Sequence, residues 1–221
     1  MPDLPDEAQI EVLDASVQEA VGHLGGVLPH YVGRHLAAAG LFLEEDPPRA
    51  LAHARAAREK APRLAEAREV LGISAYAAGD FALARSELRA ARRITGNADL
   101  IPMLADCERG LGHPDRALAV ASEPEARRLR GAERIELAIV VAGARLDLGE
   151  PAAAVQVLSL PELKDATPSE ATVRLWYAYA TALEAAGRRS EAAEFFGRVV
   201  RVDHDEATDA RERLAALGAD A

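Results

Sequence analysis

A turn followed by an alanine recurs along this chain at nearly constant spacing, and this recurrence constrains the fold more than any other feature. The turns are separated by 34, 33, 37 and 38 residues, and they lie at Glu45, Gly79, Gly112, Gly149 and Gly187. The fifth residue after each turn is Ala50, Ala84, Ala117, Ala154 or Ala192. Self-similarity at a fixed period predicts a repeat protein, in which each unit buries its apolar face by stacking on a neighbour.

The composition favours helices throughout. Hydrophobic residues make up 49% of the chain but aromatic residues only 4%, so the core must consist mainly of alanine, leucine and valine. Such small residues let two helices approach closely, and strand-forming residues are scarce. A glycine at four of the five turns supplies the left-handed end of one helix, and a proline often starts the next helix. The sequence therefore predicts an all-α chain of paired helices.

Two of the units carry a recognisable residue pattern. Around Gly79, the pair Leu71 and Gly72 is followed by Ala84 and Leu88. In the unit around Gly187, Trp176 comes first, and Ala192 and Phe196 follow the turn. Pro62 closes the first unit. This pattern resembles the tetratricopeptide repeat, W-x2-L-G-x2-Y followed by A-x3-F and a terminal proline. The resemblance covers about residues 31–204.

The resemblance implies an α-solenoid, a right-handed superhelix of about five helix pairs with a flanking helix at each end. The expected repeats are 31–64, 65–97, 98–134, 135–172 and 173–204. We expect an acidic helix and linker over residues 1–30, with the helix itself over 5–22. A capping helix and tail are expected over 205–221, with the helix over 205–217. Long connections are expected at 122–134 and 159–170.

The residue types that carry catalysis or metal binding do not form a known motif here. None of the six histidines belongs to an HExxH pattern, and no glycine-rich phosphate loop is present. Cys107 has acidic neighbours, Asp106 and Glu108, which disfavour a reactive thiolate and favour a packed structural cysteine. We therefore predict a non-enzymatic protein without a cofactor or metal.

In tetratricopeptide-like proteins the first helix of each pair lines a concave groove, and the resemblance implies the same here. The candidate groove residues are His35, Phe42, Glu66, Glu69, Ile73, Tyr76, Asp99, Met103, Asp106, Arg109, Glu136, Ile139, Val140, Asp147, Arg174, Tyr177, Thr181 and Glu184. The set is apolar at its centre and mostly acidic around it. We therefore predict a scaffold or adaptor whose partner is a protein helix or peptide with apolar anchors and basic flanks.

The uneven charge leaves two alternatives open. Residues 1–48 carry nine acids and one arginine, whereas residues 49–93 carry ten Lys and Arg against five acids. The basic stretch could bind RNA, although no aromatic residues interleave with its charges and the whole chain has a net charge of −10. Alternatively, the acidic N-terminal helix could dock on the basic second helices of its own chain or of a second copy, giving a homodimer.

The remaining expectations concern the compartment. The start of the chain lacks the apolar core of a secretory signal, and no stretch of 18 apolar residues predicts a membrane span. A single cysteine fits a reducing compartment. We therefore expect a cytoplasmic protein, and the alanine- and arginine-rich, lysine-poor composition suggests a bacterial one.

Overall fold

The computed structural model describes residues 2–219, with side chains through Gly218. The outermost positions of the two predicted terminal segments, Met1, Asp220 and Ala221, lie outside the described residues. Residues 2–219 form twelve α-helices and four short 3-10 helices, and this part of the chain contains no strand. The predicted all-α class is confirmed.

The chain divides into two compact units, one ending at Leu100 and the other beginning at Ile101. The N-terminal unit contains α1 (Ala15–Gly22), α2 (Leu28–Leu41), α3 (Pro47–Lys60), α4 (Ala65–Ala77) and α5 (Phe81–Thr95). The C-terminal unit contains α6 (Ile101–Gly110), α7 (Pro114–Ala121), α8 (Gly131–Asp147), α9 (Pro151–Leu158), α10 (Glu170–Ala185), α11 (Arg189–Val200) and α12 (Ala210–Ala219). The 3-10 helices are Ile10–Val12, Ala98–Leu100, Pro124–Arg128 and Pro161–Lys164.

Consecutive helices pack as pairs inside each unit. The pairs are α2 with α3, α4 with α5, α6 with α7, α8 with α9, and α10 with α11. The first helices of neighbouring pairs also contact each other, α2 with α4 in the N-terminal unit and α6 with α8 and α8 with α10 in the C-terminal unit. A row of first helices in each unit therefore presents one face that the second helices do not cover, here called the inner face of that unit.

The repeated turn and alanine have the structural roles that their spacing predicts. Four turn glycines adopt a left-handed backbone, with φ between 74° and 77°, at Gly79, Gly112, Gly149 and Gly187. The five alanines that follow the turns are all at most 1% exposed. Small residues are needed where paired helices meet, because a Cβ atom on Gly72 of α4 would lie 2.6 Å from the Leu88 side chain of α5.

The two long connections are packed against the helices. The connection between α9 and α10 contains the 3-10 helix Pro161–Lys164, and Leu163 within it is only 9% exposed. The indole Nε1 of Trp176 and the guanidinium of Arg198 both donate hydrogen bonds to the Leu163 carbonyl oxygen, at 3.2 and 2.9 Å. The connection between α7 and α8 contains the 3-10 helix Pro124–Arg128. The expected long loops are present, and their 3-10 turns give them a defined path.

Both terminal helices are shorter than the sequence predicts. The helix expected over residues 5–22 is reduced to a 3-10 turn and α1, because residues 5–8 form a hydrogen-bonded turn whose Pro5 and Ala8 carbonyl oxygens bind Arg34 of α2. The helix expected over residues 205–217 begins only at Ala210. The Asp203 carboxylate accepts hydrogen bonds from the backbone of Ala207 and Thr208, which fixes a loop where the helix was expected to start.

The N-terminal segment, defined here as residues 2–22, packs on α2. Ile10 lies so close to Gly33 that a Cβ atom there would be 2.6 Å from Ile10 Cγ1, and Ala8 is fully buried against Ala37 and Ala38. Within this chain the segment packs mainly on α2, and its Val21 also belongs to an apolar cluster that includes Ala57 of the basic second helix α3. The segment binds through apolar side chains and backbone carbonyls, and α2 provides the small residues that such contact needs.

No helix among residues 2–219 combines the length and the apolar character that crossing a membrane requires.

Candidate functional site

Two of the predicted groove residues face the second helix of their pair instead of the inner face. His35 of α2 and His53 of α3 are both fully buried, and their Nδ1 atoms lie 2.9 Å apart. Phe42 stacks on the His53 ring at a centroid distance of 5.7 Å, and the Arg49 guanidinium lies 3.7 Å from the centre of the Phe42 ring. The placement of His35 and Phe42 in the groove is corrected: their aromatic rings fill the contact between α2 and α3.

Burial makes the histidine pair hard to protonate. Burial, followed by the nearby His53 and Arg34, lowers the pKa of His35 to about 4. The pKa of His53 is also lowered, by burial and then by Arg49. Because one Nδ1 must donate to the other, one ring carries its proton on Nδ1 and the other on Nε2. Neither buried Nε2 has a hydrogen-bond partner among the described residues.

The remaining predicted residues of the N-terminal unit form an acidic group around α4. Glu66, Glu69 and Ile73 lie on one helical face, and Asp99 belongs to the 3-10 helix after α5. Burial, Glu66 and Asp99 together raise the pKa of Glu69, in that order of importance. No ion pair within residues 2–219 includes any of these three carboxylates. The ring of Tyr76 packs edge-on against the ring of Phe81, with 5.7 Å between the ring centroids.

The inner face of the C-terminal unit has an open apolar depression of about 380 Å³, here called the C-terminal pocket. Its apolar lining comes from α8 and α10: Ile139, Ala142, Leu146, Val173, Tyr177 and Ala178. Charged and polar side chains complete the lining: Arg109, Glu136, Arg174, Thr181 and Thr208. Six of the predicted groove residues, Arg109 among them, therefore line this pocket. Its volume lies within the range of about 300–1,000 Å³ that is typical of ligand pockets.

Arginines neutralise the carboxylates around this pocket. The Arg109 guanidinium, which lies over Gly143, donates to Asp106 at 2.7 Å and to Asp147 at 2.6 Å. These hydrogen bonds and charges offset the effect of burial and raise the pKa of Arg109. Arg174 pairs with Glu136 at 2.6 Å and with Glu170 at 3.3 Å. The acidic residues predicted for this surface are therefore present, but Arg109 and Arg174 each form ion pairs with two of the surrounding carboxylates.

The last helix contributes a third arginine to the same face. Arg213 of α12 pairs with Glu184 and donates to the Thr181 hydroxyl at 2.8 Å and to the Tyr177 hydroxyl at 3.3 Å. The Tyr177 hydroxyl donates to Asp209 at 2.5 Å. Burial, more than this hydrogen bond, raises the pKa of Tyr177. Three predicted groove residues are thereby fixed by a helix outside the predicted repeats.

Sequence reasoning missed several residues of this face. Leu146 lies seven positions after Ile139 on α8, and Val173 lies four positions before Tyr177 on α10, so helical periodicity could have identified both. The repeat pattern could not identify Arg213, because this residue lies on the terminal helix, outside the predicted repeats. Two predicted residues, Met103 of α6 and Val140 of α8, are half-buried and do not line the C-terminal pocket.

The basic stretch of residues 49–93 contains arginines that are already engaged. Arg58 and Arg68 both bind the Glu87 carboxylate, at 3.1 and 2.9 Å, and Arg55 lies 3.5 Å from Asp80. This arrangement matches a solvated helix face with ion pairs, and it adds nothing in favour of RNA binding.

The single thiol of the chain lies in the interior. Cys107 is fully buried in α6, as the packed structural interpretation predicts. Within residues 2–219, no three histidine, cysteine or acidic side chains lie close enough together to hold a metal ion.

Comparison with known proteins points to one fold. The chain is similar to a thermophilic TPR protein of Thermus thermophilus, with 20% identity and a TM-score of 0.66 over 85% of this chain and 99% of that chain. It also aligns with the TPR domain of P58(IPK), with 16% identity and a TM-score of 0.44 over 85% of this chain and 55% of that chain. No protein-family model and no curated protein matches the sequence. The stacked helix pairs, the buried alanines and the likeness to the Thermus protein show that this chain has the tetratricopeptide-repeat fold.

Proposed function

We propose that this chain is a non-enzymatic protein-interaction module that binds a helix or extended peptide of a partner protein on the inner faces of its first helices. The observation that carries the proposal is the C-terminal pocket, an open and mainly apolar depression on α8 and α10. An exposed apolar depression with a polar surround is typical of a site for a partner's anchoring side chain.

The surroundings of the pocket support a partner with basic flanks. Its carboxylates, Asp106, Glu136, Asp147, Glu170 and Glu184, outnumber its arginines, Arg109, Arg174 and Arg213. Because each arginine is held by acids of the same face, a partner meets a preorganised surface. Such ordering before binding reduces the entropic cost of association.

The scaffold role also agrees with the reactive groups of the chain. The one cysteine is buried and has no second cysteine to pair with, which supports the cytoplasm as its compartment. The function is therefore recognition, with the partner held between apolar contacts and charged flanks.

Peptide selection on the full chain tests this proposal. Peptides selected from a random library should lose at least tenfold in affinity for a Val173→Asp variant, because the new charge lies in the apolar lining. The matched variant Val202→Asp changes a valine that is 37% exposed outside the pocket, and it should bind normally. Circular dichroism confirms that both variants fold. Equal affinity of the selected peptides for both variants would show that the pocket is not the site.

A further inference from the structure

A second apolar depression, of about 240 Å³, lies in the N-terminal unit and is here called the N-terminal pocket. Three elements line it: the N-terminal segment with Val12 and Val17, α2 with Leu36 and the Leu43 that follows it, and α4 with Val70 and Ile73. Its volume is below the range of about 300–1,000 Å³ for small-molecule pockets. It is large enough for one apolar side chain and too small for a whole drug-sized ligand.

The wall that the N-terminal segment provides is fixed in place. The Arg34 guanidinium donates to the carbonyl oxygens of Pro5 and Ala8, at 2.8 and 2.9 Å. Ile10 fills the space that the missing side chain of Gly33 leaves open. The pocket therefore exists before any partner arrives, and one of its walls comes from outside the helix pairs.

A polar group in the pocket has no partner within residues 2–219. Ser74 of α4 lines the pocket and is 1% exposed, and its hydroxyl makes no hydrogen bond to this part of the chain. A buried hydroxyl without a hydrogen bond is costly, and a ligand that supplies a donor or acceptor removes this cost. The lining of the pocket therefore contains a hydrogen-bonding group that the described part of the chain does not use.

The charges around the pocket select the partner. Asp14 is part of the lining, and Glu11 precedes Val12 on the exposed side of the segment. Neither carboxylate takes part in an ion pair within residues 2–219, and Arg34, the only arginine or lysine in residues 1–48, is bound to backbone carbonyls. Glu69 lies one residue before Val70 on α4 and also has no cation in the described part of the chain. An apolar pocket among unpaired acids is complementary to a cationic, amphipathic segment.

We infer that the N-terminal pocket is a second docking site, which receives one apolar side chain of a partner segment whose flanking lysines or arginines face Asp14 and Glu69. The inference rests on the proposed interaction role, but it names a separate site with its own lining and a stricter requirement for positive charge. The partner's apolar side chain lies between Val12 and Ile73.

Methyl NMR of the full chain separates the two sites. The probe is a synthetic amphipathic peptide of leucine and lysine, and the matched control replaces lysine with glutamate. We expect the lysine peptide to shift the methyl signals of Val12, Val17 and Ile73, and the glutamate peptide to leave them unchanged. If the lysine peptide shifts only Ile139 and Val173, the second site is refuted while the proposed function stands. If it shifts neither set, the second site is also refuted, and the peptide selection decides on the proposed function separately.

Matched valine variants test the wall itself. Val12 and Val27 are both exposed valines of the N-terminal unit, at 60% and 82%, but only Val12 lines the pocket. Val12→Lys should weaken the lysine peptide at this site at least tenfold, whereas Val27→Lys should change its affinity less than threefold. Equal weakening in both variants would overturn the inference. Methyl shifts that depend on chain concentration without peptide would identify a second copy as the occupant, and would also overturn it.

Discussion

The two units use the same helix-pair packing but treat charge on their inner faces in opposite ways. In the C-terminal unit, Arg109 and Arg174 each bridge two carboxylates. In the N-terminal unit, Glu66, Glu69 and Asp99 have no cation among residues 2–219. The difference shows that a repeat scaffold can keep the same helix-pair packing while its inner faces carry differently paired charges.

The reason for the difference lies in where the arginines of the N-terminal unit point. Arg58 of α3 and Arg68 of α4 converge on Glu87 of α5, so their charges are used between neighbouring helices. Arg34 is bound to the backbone of the N-terminal segment. In the described chain no arginine pairs with Glu66 or Glu69, and the half-buried Glu69 has a raised pKa as a result of burial and like charge.

The largest expected effects come from truncating the two cores, which should be packed equally well in both units. Phe196 of α11 and Leu88 of α5 are both fully buried. Phe196→Ala should cost about 3–5 kcal/mol and Leu88→Ala about 2–5 kcal/mol of the free energy of unfolding. Urea denaturation followed by circular dichroism measures both, and Trp176 fluorescence reports the C-terminal unit. Phe195→Ala, at a half-buried neighbour, should cost less; an equal cost would show that burial does not set the effect.

Acid should destabilise the N-terminal unit through its two buried histidines, His35 and His53. The described residues of the C-terminal unit include no buried histidine. The pKa of His35 in the folded chain, about 4, is below its ordinary value of 6.5. The contribution of neutral His35 to the free energy of unfolding is therefore fully present above pH 6.5 and is lost as the pH drops toward 4. Between pH 7 and 5.5 the loss from His35 is about 1 kcal/mol, and His53 adds to it in the same direction. This window avoids most carboxylate titration.

The measurement is urea denaturation of the wild-type chain and a His35→Leu/His53→Leu double variant at both pH values. The double variant should lose most of the pH dependence, since leucine fills the buried space without titrating. His113→Leu, at an exposed histidine, serves as control and should keep the wild-type slope. An unchanged slope in the double variant would mean that other groups control acid stability.

Helix capping provides a smaller contrast between the units. The Asp80 carboxylate accepts a hydrogen bond from the Leu83 N–H at 3.1 Å and so caps α5. In the C-terminal unit, His113 precedes α7 without a side-chain cap bond. Asp80→Ala should therefore cost about 1 kcal/mol, and His113→Ala only a few tenths. Thermal unfolding of the two variants measures the difference, and equal costs would argue against the capping contribution.

Removing one arginine should make the C-terminal inner face resemble the N-terminal one. Arg109→Gln leaves Asp106 and Asp147 without their shared cation, and because these side chains are partly exposed, the stability cost is about 0.5 kcal/mol. The same variant should bind the leucine–lysine peptide severalfold more tightly at the C-terminal pocket in low salt. Methyl titration at Ile139 measures the affinity. Unchanged affinity would show that paired and unpaired acids select partners alike.

The sequence predicted the helix pairs well because their signals are local. A glycine at the turn and an alanine five residues later report backbone conformation and close helix contact directly. The terminal helices were overestimated because Arg34 and Asp203 hold the backbone through contacts that helical periodicity does not encode.

The candidate site was predicted less completely, since helical periodicity does not say which neighbour a face meets. His35 has the spacing of a groove residue but packs on His53. The ion pairs of Arg109 with Asp147 and of Glu136 with Arg174 each join residues 38 positions apart, close to one repeat. Comparing equivalent positions of successive repeats could have found them, whereas the carboxylates alone suggested an acidic groove.

The anchor of the N-terminal segment has an evolutionary consequence. Arg34 binds carbonyl oxygens of Pro5 and Ala8, and every amino acid supplies such an oxygen. The exposed residues between them, Asp6 and Glu7, can therefore change without loosening the attachment. Descendants of this protein could diversify the charge beside α2 through single substitutions while keeping the architecture intact.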